Sequence, residues 1–138
     1  MVTGEAAKRM EPIRKEDALV GEMQKAGVGI LAGTDDGNPY VFPGFNLHDE
    51  LALLVNAGLT PMEALQTATY NPAKFLGLSS LGTVENGKYA DLVLLDANPL
   101  ENISNTKKIA AVITNGRYFG RESLDKMLAD VEVAANRK

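Results

Sequence analysis

The sequence predicts an α+β fold, with helices gathered around one buried strand, then a small antiparallel sheet and a C-terminal helix. Three observations carry this expectation. Apolar residues recur at helical spacing as far as Leu76. Beyond Leu78 the pattern shifts to short apolar runs punctuated by Asn86-Gly87 and Asn115-Gly116. Both dipeptides favour hairpins, because each residue accepts positive φ at little cost. The third observation is the run Val28-Gly29-Ile30-Leu31-Ala32-Gly33, which is apolar without interruption and ends in Asp35 and Asp36. A strand with one wet face alternates polar and apolar residues; an unbroken run expects cover on both faces.

Pro12 to Ala26 reads as the first helix. Pro12 suits its first turn, and Leu19, Met23 and Ala26 recur on one side. Lys25 favours the helix dipole, and Gly27 suits the left-handed position that closes a helix. Gly21, inside the helix, is a mild cost. After the acidic turn, Pro39, Pro43 and Gly44 make 38–45 a loop. Asn46 is expected to cap the next helix, with Leu47, Leu51, Leu54 and Val55 as its apolar stripe and Gly58 as its end. Thr60-Pro61-Met62-Glu63 spells a capping box with proline in the first turn. The buried side of that helix is expected at Met62, Leu65 and Ala68 or Thr69. Pro72 should push Asn71 out of helical conformation, so that a short helix restarts there and ends at Gly77. Strands are expected at Leu81–Val84, Asp91–Leu95, Ile109–Thr114 and Tyr118–Phe119. Arg121 to Ala135 closes the chain as an amphipathic helix, with Leu124, Met127, Leu128 and Val131 on one face.

Composition narrows the function. The 138 residues are 45% hydrophobic, enough for a core, and the net charge is -4 with basic residues scattered among acids. No basic face stands out, so neither nucleic acid nor an anionic membrane is an expected partner. The absence of cysteine excludes disulfides and thiolate metal sites and fits a cytoplasmic location. No apolar run approaches the roughly 20 residues that span a bilayer.

Asp35 is the leading candidate for chemistry. It stands at the C-terminal end of the buried run, the end at which α/β barrels place their active sites. The competing reading is an Asp36-Gly37 turn that serves geometry alone. Asp49 and Glu50 read as favourable charges in a helix's first turn, His48 as a capping or surface residue, and Asp91 as a turn-fixing residue before its strand. Phe42 and Phe45 could line a pocket or anchor their loop.

Several of these stretches, taken together and in order, resemble a known family. Gly27-Val28 through Ala32-Gly33-Thr34-Asp35, Leu47-His48-Asp49-Glu50-Leu51, Ala57-Gly58-Leu59-Thr60-Pro61-Met62-Glu63-Ala64-Leu65 and Asn71-Pro72-Ala73 are similar to metal-dependent amidohydrolases of the imidazolonepropionase and prolidase-like branch. The most specific part is Leu81-Gly82-Thr83-Val84-Glu85-Asn86-Gly87-Lys88-Tyr89-Ala90-Asp91-Leu92-Val93, followed by Asn98-Pro99-Leu100. The resemblance implies the C-terminal part of a (β/α)8 barrel with its last strand. Residues 1–79 would be the terminal helix-strand-helix segment of the barrel, 80–120 strands of a small β-sandwich, and 121–138 the C-terminal helix.

For function, the resemblance implies hydrolysis of C–N bonds in cyclic amides or dipeptide-like substrates by metal-activated water. Asp35 would approach the divalent metal, zinc by expectation, and serve as proton-transfer base. Physically this is sound, because a carboxylate beside a cation stays ionised and can pass a proton to a leaving amine. The family's other ligands are a His-x-His pair, a lysine or glutamate and two later histidines, whereas the chain has one histidine, His48. Asp35, Asp36 and His48 have no spacing that recommends them as a trio, so no tight metal is expected on the chain alone. Three readings follow: an inactive C-terminal portion of an enzyme, a split-enzyme subunit completed by an N-terminal partner chain, or a non-catalytic binding module. The first is preferred because most of the metal shell is absent. The strand 28–33, lacking neighbours in its own chain, is expected to make the protein a homo-oligomer.

Overall fold

The computed structural model describes residues 18–137. Helices come first and strands afterwards, as the change of period predicts. Helix α1 occupies 18–25, and the part of the expected helix from Pro12 to residue 17 lies outside the described residues. Gly27 takes φ +77°, and Val28 N–H donates to Met23 O at 3.0 Å, so the glycine closes the helix in the left-handed conformation. Gly21 is buried, and a Cβ there would overlap the carbonyl oxygen of Ala57. The glycine read as a helical cost is the contact that lets α1 approach the end of the next helix.

Helix α2 (Asn46–Asn56) is capped by Phe45, not Asn46. Asn46 is instead the first helical residue, and its Oδ1 turns back to accept from Phe42 N–H at 2.7 Å, tying the loop rather than the helix. Helix α3 (Pro61–Thr67) carries the expected capping box: Glu63 N–H donates to Thr60 Oγ1 at 3.2 Å, and Thr60 N–H to Glu63 Oε2 at 2.7 Å. Its buried residues are Ala64 and Thr67, whereas Met62 is 48% exposed. Leu65 and Ala68 pack against the core as expected, Met62 does not, and the small Ala64 and Thr67 make the closest contact. Helix α4 (Tyr70–Phe75) includes both Asn71 and Pro72, and the break falls at Thr69. Proline is tolerated there because a first-turn N–H has no intrahelical acceptor to lose. Gly77, at φ +69°, ends the helix as expected.

The sheet has order β1-β2-β3, all antiparallel, with β1 Leu92–Leu95, β2 Ile109–Thr114 and β3 Arg117–Gly120. Asn115 and Gly116 take φ of 48° and 73°, the pair of positive values a type I′ hairpin needs. Asp91 Oδ1 accepts from Asn115 N–H at 2.8 Å, so it ties the β2–β3 hairpin turn and not the turn before its own strand that its position suggested. Leu81–Val84 is not a strand. Residues 81–83 bend, and Gly82 at φ +88° brings the backbone against Ala73 and Thr69. The Asn86-Gly87 turn is therefore flanked by irregular chain rather than by a hairpin, joined through Tyr89 N–H to Ser80 O at 3.0 Å.

Between β1 and β2 a 3-10 turn, Ile103–Lys107, drops Ile103 into the helical core beside Leu51 and Ala64. Leu54, Val55, Leu65 and Ala68 pack around them. Helix α5 (Arg121–Ala135) lies against β2 and β3, but none of its residues is buried. Among the described residues, no helix is long and apolar enough to cross a membrane.

The run 28–33 departs from expectation in its cover. It forms no strand with any described residue, and Val28 and Leu31 are 43% and 41% exposed. The pattern of a doubly covered strand is present, yet no described segment supplies the hydrogen-bonded neighbours that would make it one.

Candidate active site at the end of residues 28–35

In the absence of a ladder, the helices hold this segment. Asn71 Nδ2 on α4 donates to Ile30 O at 2.9 Å, and Ala32 N–H donates to Thr67 O at 2.9 Å. Thr67 is fully buried, its hydroxyl donating to Ala64 O at 2.7 Å, so the carbonyl it presents is rigidly placed. One residue further on, Gly33 N–H donates to Glu50 Oε1 on α2 at 2.8 Å.

Asp35 follows in the left-handed conformation, φ +53°, which aspartate tolerates better than most residues. Its side chain is exposed. Asn38 Nδ2 donates to Asp35 Oδ2 at 2.6 Å and to Asp35 O at 3.2 Å, so one amide orients both the carboxylate and its own backbone. Asp36 is engaged separately: its Oδ1 accepts from the Thr34 hydroxyl at 3.0 Å, and Gly37 turns the chain at φ +107°. Asp36 thus serves the turn, while Asp35, also tied into it through Asn38, keeps an exposed carboxylate. Phe42 and Phe45 are 61% and 62% exposed, so neither anchors its loop among the described residues. Tyr40 holds φ +71° in the same loop, a conformation uncommon for an aromatic residue.

His48 is not a surface or capping residue. Its ring is half-buried, and Nδ1 lies 3.1 Å from Thr106 Oγ1, joining α2 to the 3-10 turn. Burial lowers its pKa, the nearby Lys107 lowers it further, and Asp49 opposes both. Asp49 itself pairs with Lys107 Nζ at 2.6 Å. His48 therefore faces the 3-10 turn and does not join Asp35.

Among the described residues no group of three or more His, Cys, Asp or Glu could hold a metal ion. A catalytic zinc takes three protein ligands, so these residues do not by themselves fit the family's metal. Sequence reasoning passed over Glu50, Thr67 and Asn71. For Glu50 a signal existed: it falls within the stripe of Leu47, Leu51 and Leu54, a place for a side chain that faces inward.

The structure thus presents an exposed carboxylate, oriented by Asn38, at the end of a partly exposed apolar segment that α2, α3 and α4 hold through Glu50, Thr67 and Asn71. Residues 7–118 match the Amidohydrolase family, and the chain belongs to it. It is 36% identical over 101 residues to ochratoxinase from Aspergillus niger, covering 69% of this chain and 20% of that protein. To imidazolonepropionase from Deinococcus deserti it is 39% identical over 82 residues, 59% of this chain and 20% of the relative. Among solved structures, a putative prolidase from Bifidobacterium longum superposes with a TM-score of 0.67 at 37% identity, over 80% of this chain and 29% of that one. The chain thus spans about a fifth of the curated relatives it matches.

Proposed function

We propose that this chain contributes the proton-transferring carboxylate, Asp35, to an amidohydrolase that cleaves C–N bonds in cyclic amides or dipeptide-like substrates. Family membership supports hydrolysis at C–N bonds. The observation that carries the role of Asp35 is its placement, solvent-accessible and oriented through Oδ2 by Asn38. Such a carboxylate accepts a proton from the attacking water and returns it to the leaving nitrogen, which would otherwise depart as an unstable anion. The family's divalent metal needs ligands beyond the described residues, so activity is proposed for the chain together with a segment that supplies them. That segment is either an N-terminal partner chain or more of the same protein, and the chain alone is inactive.

A second reading has its own support. The described residues bring no metal-ligand cluster together, which suits a module that keeps the frame and binds without catalysis. One experiment separates the two. The chain is combined with the N-terminal barrel segment of a prolidase-like relative, carrying the His-x-His pair, and assayed against N-acyl prolines and cyclic imides. Turnover is expected only in the mixture, and Asp35→Asn should lower kcat by roughly 100- to 10,000-fold. A mixture that binds substrate without turning it over supports the module, and full activity in Asp35→Asn removes the proposed role.

A further inference from the structure

Asp35 stands at the end of a segment that no ladder holds, so its place depends on what reaches that segment from the helices. Asn71 and the Thr67 carbonyl hold Ile30 and Ala32, five and three residues before Asp35. Glu50 holds Gly33, two residues before it, and is the nearest of these anchors. A bond from a backbone N–H to an ionised carboxylate is shorter and stronger than one between neutral groups. Beyond Gly33 the chain turns into the left-handed Asp35, and the further support there is local, from Asn38.

The second oxygen of Glu50 makes the residue unusual. Oε2 is shielded from solvent and has no hydrogen-bond partner among the described residues. A shielded carboxylate oxygen without a partner is a cost to folding. Packing alone would be served by another leucine, since Glu50 falls within the stripe of Leu47, Leu51 and Leu54. What leucine cannot do is accept from Gly33.

We propose that Glu50 is the positioning residue for Asp35, its Oε1 clamping the Gly33 amide and so setting the direction in which the chain enters Asp35. The catalytic meaning of this clamp rests on the proton-transfer reading above; the clamp itself does not. Its test is nuclear magnetic resonance on the chain with Glu50→Gln, Glu50→Ala and, as a control on the same segment, Asn71→Ala. In Glu50→Ala the Gly33 amide proton should move upfield and exchange at least about tenfold faster, the scale of losing a hydrogen bond to a charged acceptor. The residual dipolar coupling of the Asp35 N–H should fall by about half or more as the residue averages over orientations. Glu50→Gln, whose carboxamide oxygen still accepts, should restore most of that coupling, and Asn71→Ala should leave it near the unsubstituted value.

An unchanged Gly33 amide and Asp35 coupling in Glu50→Ala would overturn the proposal, as would Glu50→Gln behaving no better than Glu50→Ala. Should Glu50→Ala fail to fold, Glu50→Gln decides: the weaker neutral acceptor must shift the Gly33 amide in an intact fold, and an unmoved amide overturns the clamp. None of these readouts is turnover. Loss of the hydrolase reading would leave the clamp standing, and loss of the clamp would leave the assay of Asp35→Asn untouched.

Discussion

His48 shows how one residue's neighbours settle its chemistry. Thr106 Oγ1 donates its only proton to Ile103 O at 2.8 Å, so towards His48 it can only accept, and Nδ1 must carry the hydrogen. With burial and Lys107 both disfavouring the charged ring, its folded pKa lies below the unfolded value of 6.5. The unfolded chain then binds the proton first. The stability His48 contributes is complete above the unfolded value and is lost as pH falls from there towards the folded one. Urea midpoints should therefore fall between about pH 7.5 and about pH 5.5, and His48→Gln should flatten that slope; equal slopes would mean the ring titrates alike in both states. At Asp35 the expectation concerns metal. With no cluster of ligands among the described residues, plasma emission after dialysis should find well below about one equivalent of zinc. A full equivalent that disappears in Asp35→Ala would show that the chain assembles a site by itself. Asp35 stands out in the sequence because an unbroken apolar run leads to it, although Val28 and Leu31 of that run are exposed in the structure. Glu50 was misread as a helix-dipole charge, and Asn71 as the residue before a proline, because their partners lie 17 and 41 positions away. Pairing at such distance leaves no local mark at Asn71, and at Glu50 only its place in the apolar stripe.

At the scale of elements, what the sequence reveals is local chemistry and what it conceals is approach. The capping box at Thr60 and Glu63, the glycine ends at Gly27 and Gly77, and the Asn115-Gly116 hairpin all follow from residues within a few positions of one another. The capping box also holds the Glu63 carboxyl below its usual range, first through the Thr60 N–H, then the Thr60 hydroxyl and the Gln24 amide of α1. By contrast, the exposure of Met62, the half-buried ring of His48 and the absence of a strand at Leu81–Val84 depend on neighbours far along the chain. Gly21 belongs to this second group. In an open helix, replacing glycine by alanine gains about 1 kcal/mol. Here the added methyl would overlap the Ala57 carbonyl, and backbone cannot swing aside as a side chain would. Gly21→Ala is therefore expected to reverse sign and destabilise the chain by about 1–3 kcal/mol, the range for overpacking. A chemical denaturation midpoint at or above that of the unsubstituted chain would show that α1 does not sit against α2 in solution.

For the whole molecule, the open question of cohesion is the segment 28–33. Ile30 O and Ala32 N–H are used by α4 and Thr67, yet among the described residues no backbone hydrogen bond reaches Gly29 or Leu31. In a strand, alternate residues address opposite edges, so these two would share an edge with Gly33, whose N–H Glu50 already takes, and only the stretch at Gly29 and Leu31 is open. An unpaired apolar edge is a template for association. A twofold pairing with a second copy would run antiparallel and place the two Asp35 carboxylates at opposite ends. The gain can be bounded. Burying a whole valine or leucine side chain is worth about 1.5–3 kcal/mol. Val28 and Leu31 are 43% and 41% exposed, so two copies of each give about 2–5 kcal/mol. A micromolar dimer needs about 8 kcal/mol, and edge hydrogen bonds add about 0.5–1.5 kcal/mol each. The association should accordingly be real but weak. Light scattering is expected to show a mass that rises with concentration towards twice 14.8 kDa and falls again on dilution. Leu31→Lys, which sets a charge at the edge, should hold the chain at 14.8 kDa throughout. A flat monomeric trace from the unsubstituted chain would mean that the edge is closed in solution, and an unaltered rise in Leu31→Lys would place the contact elsewhere.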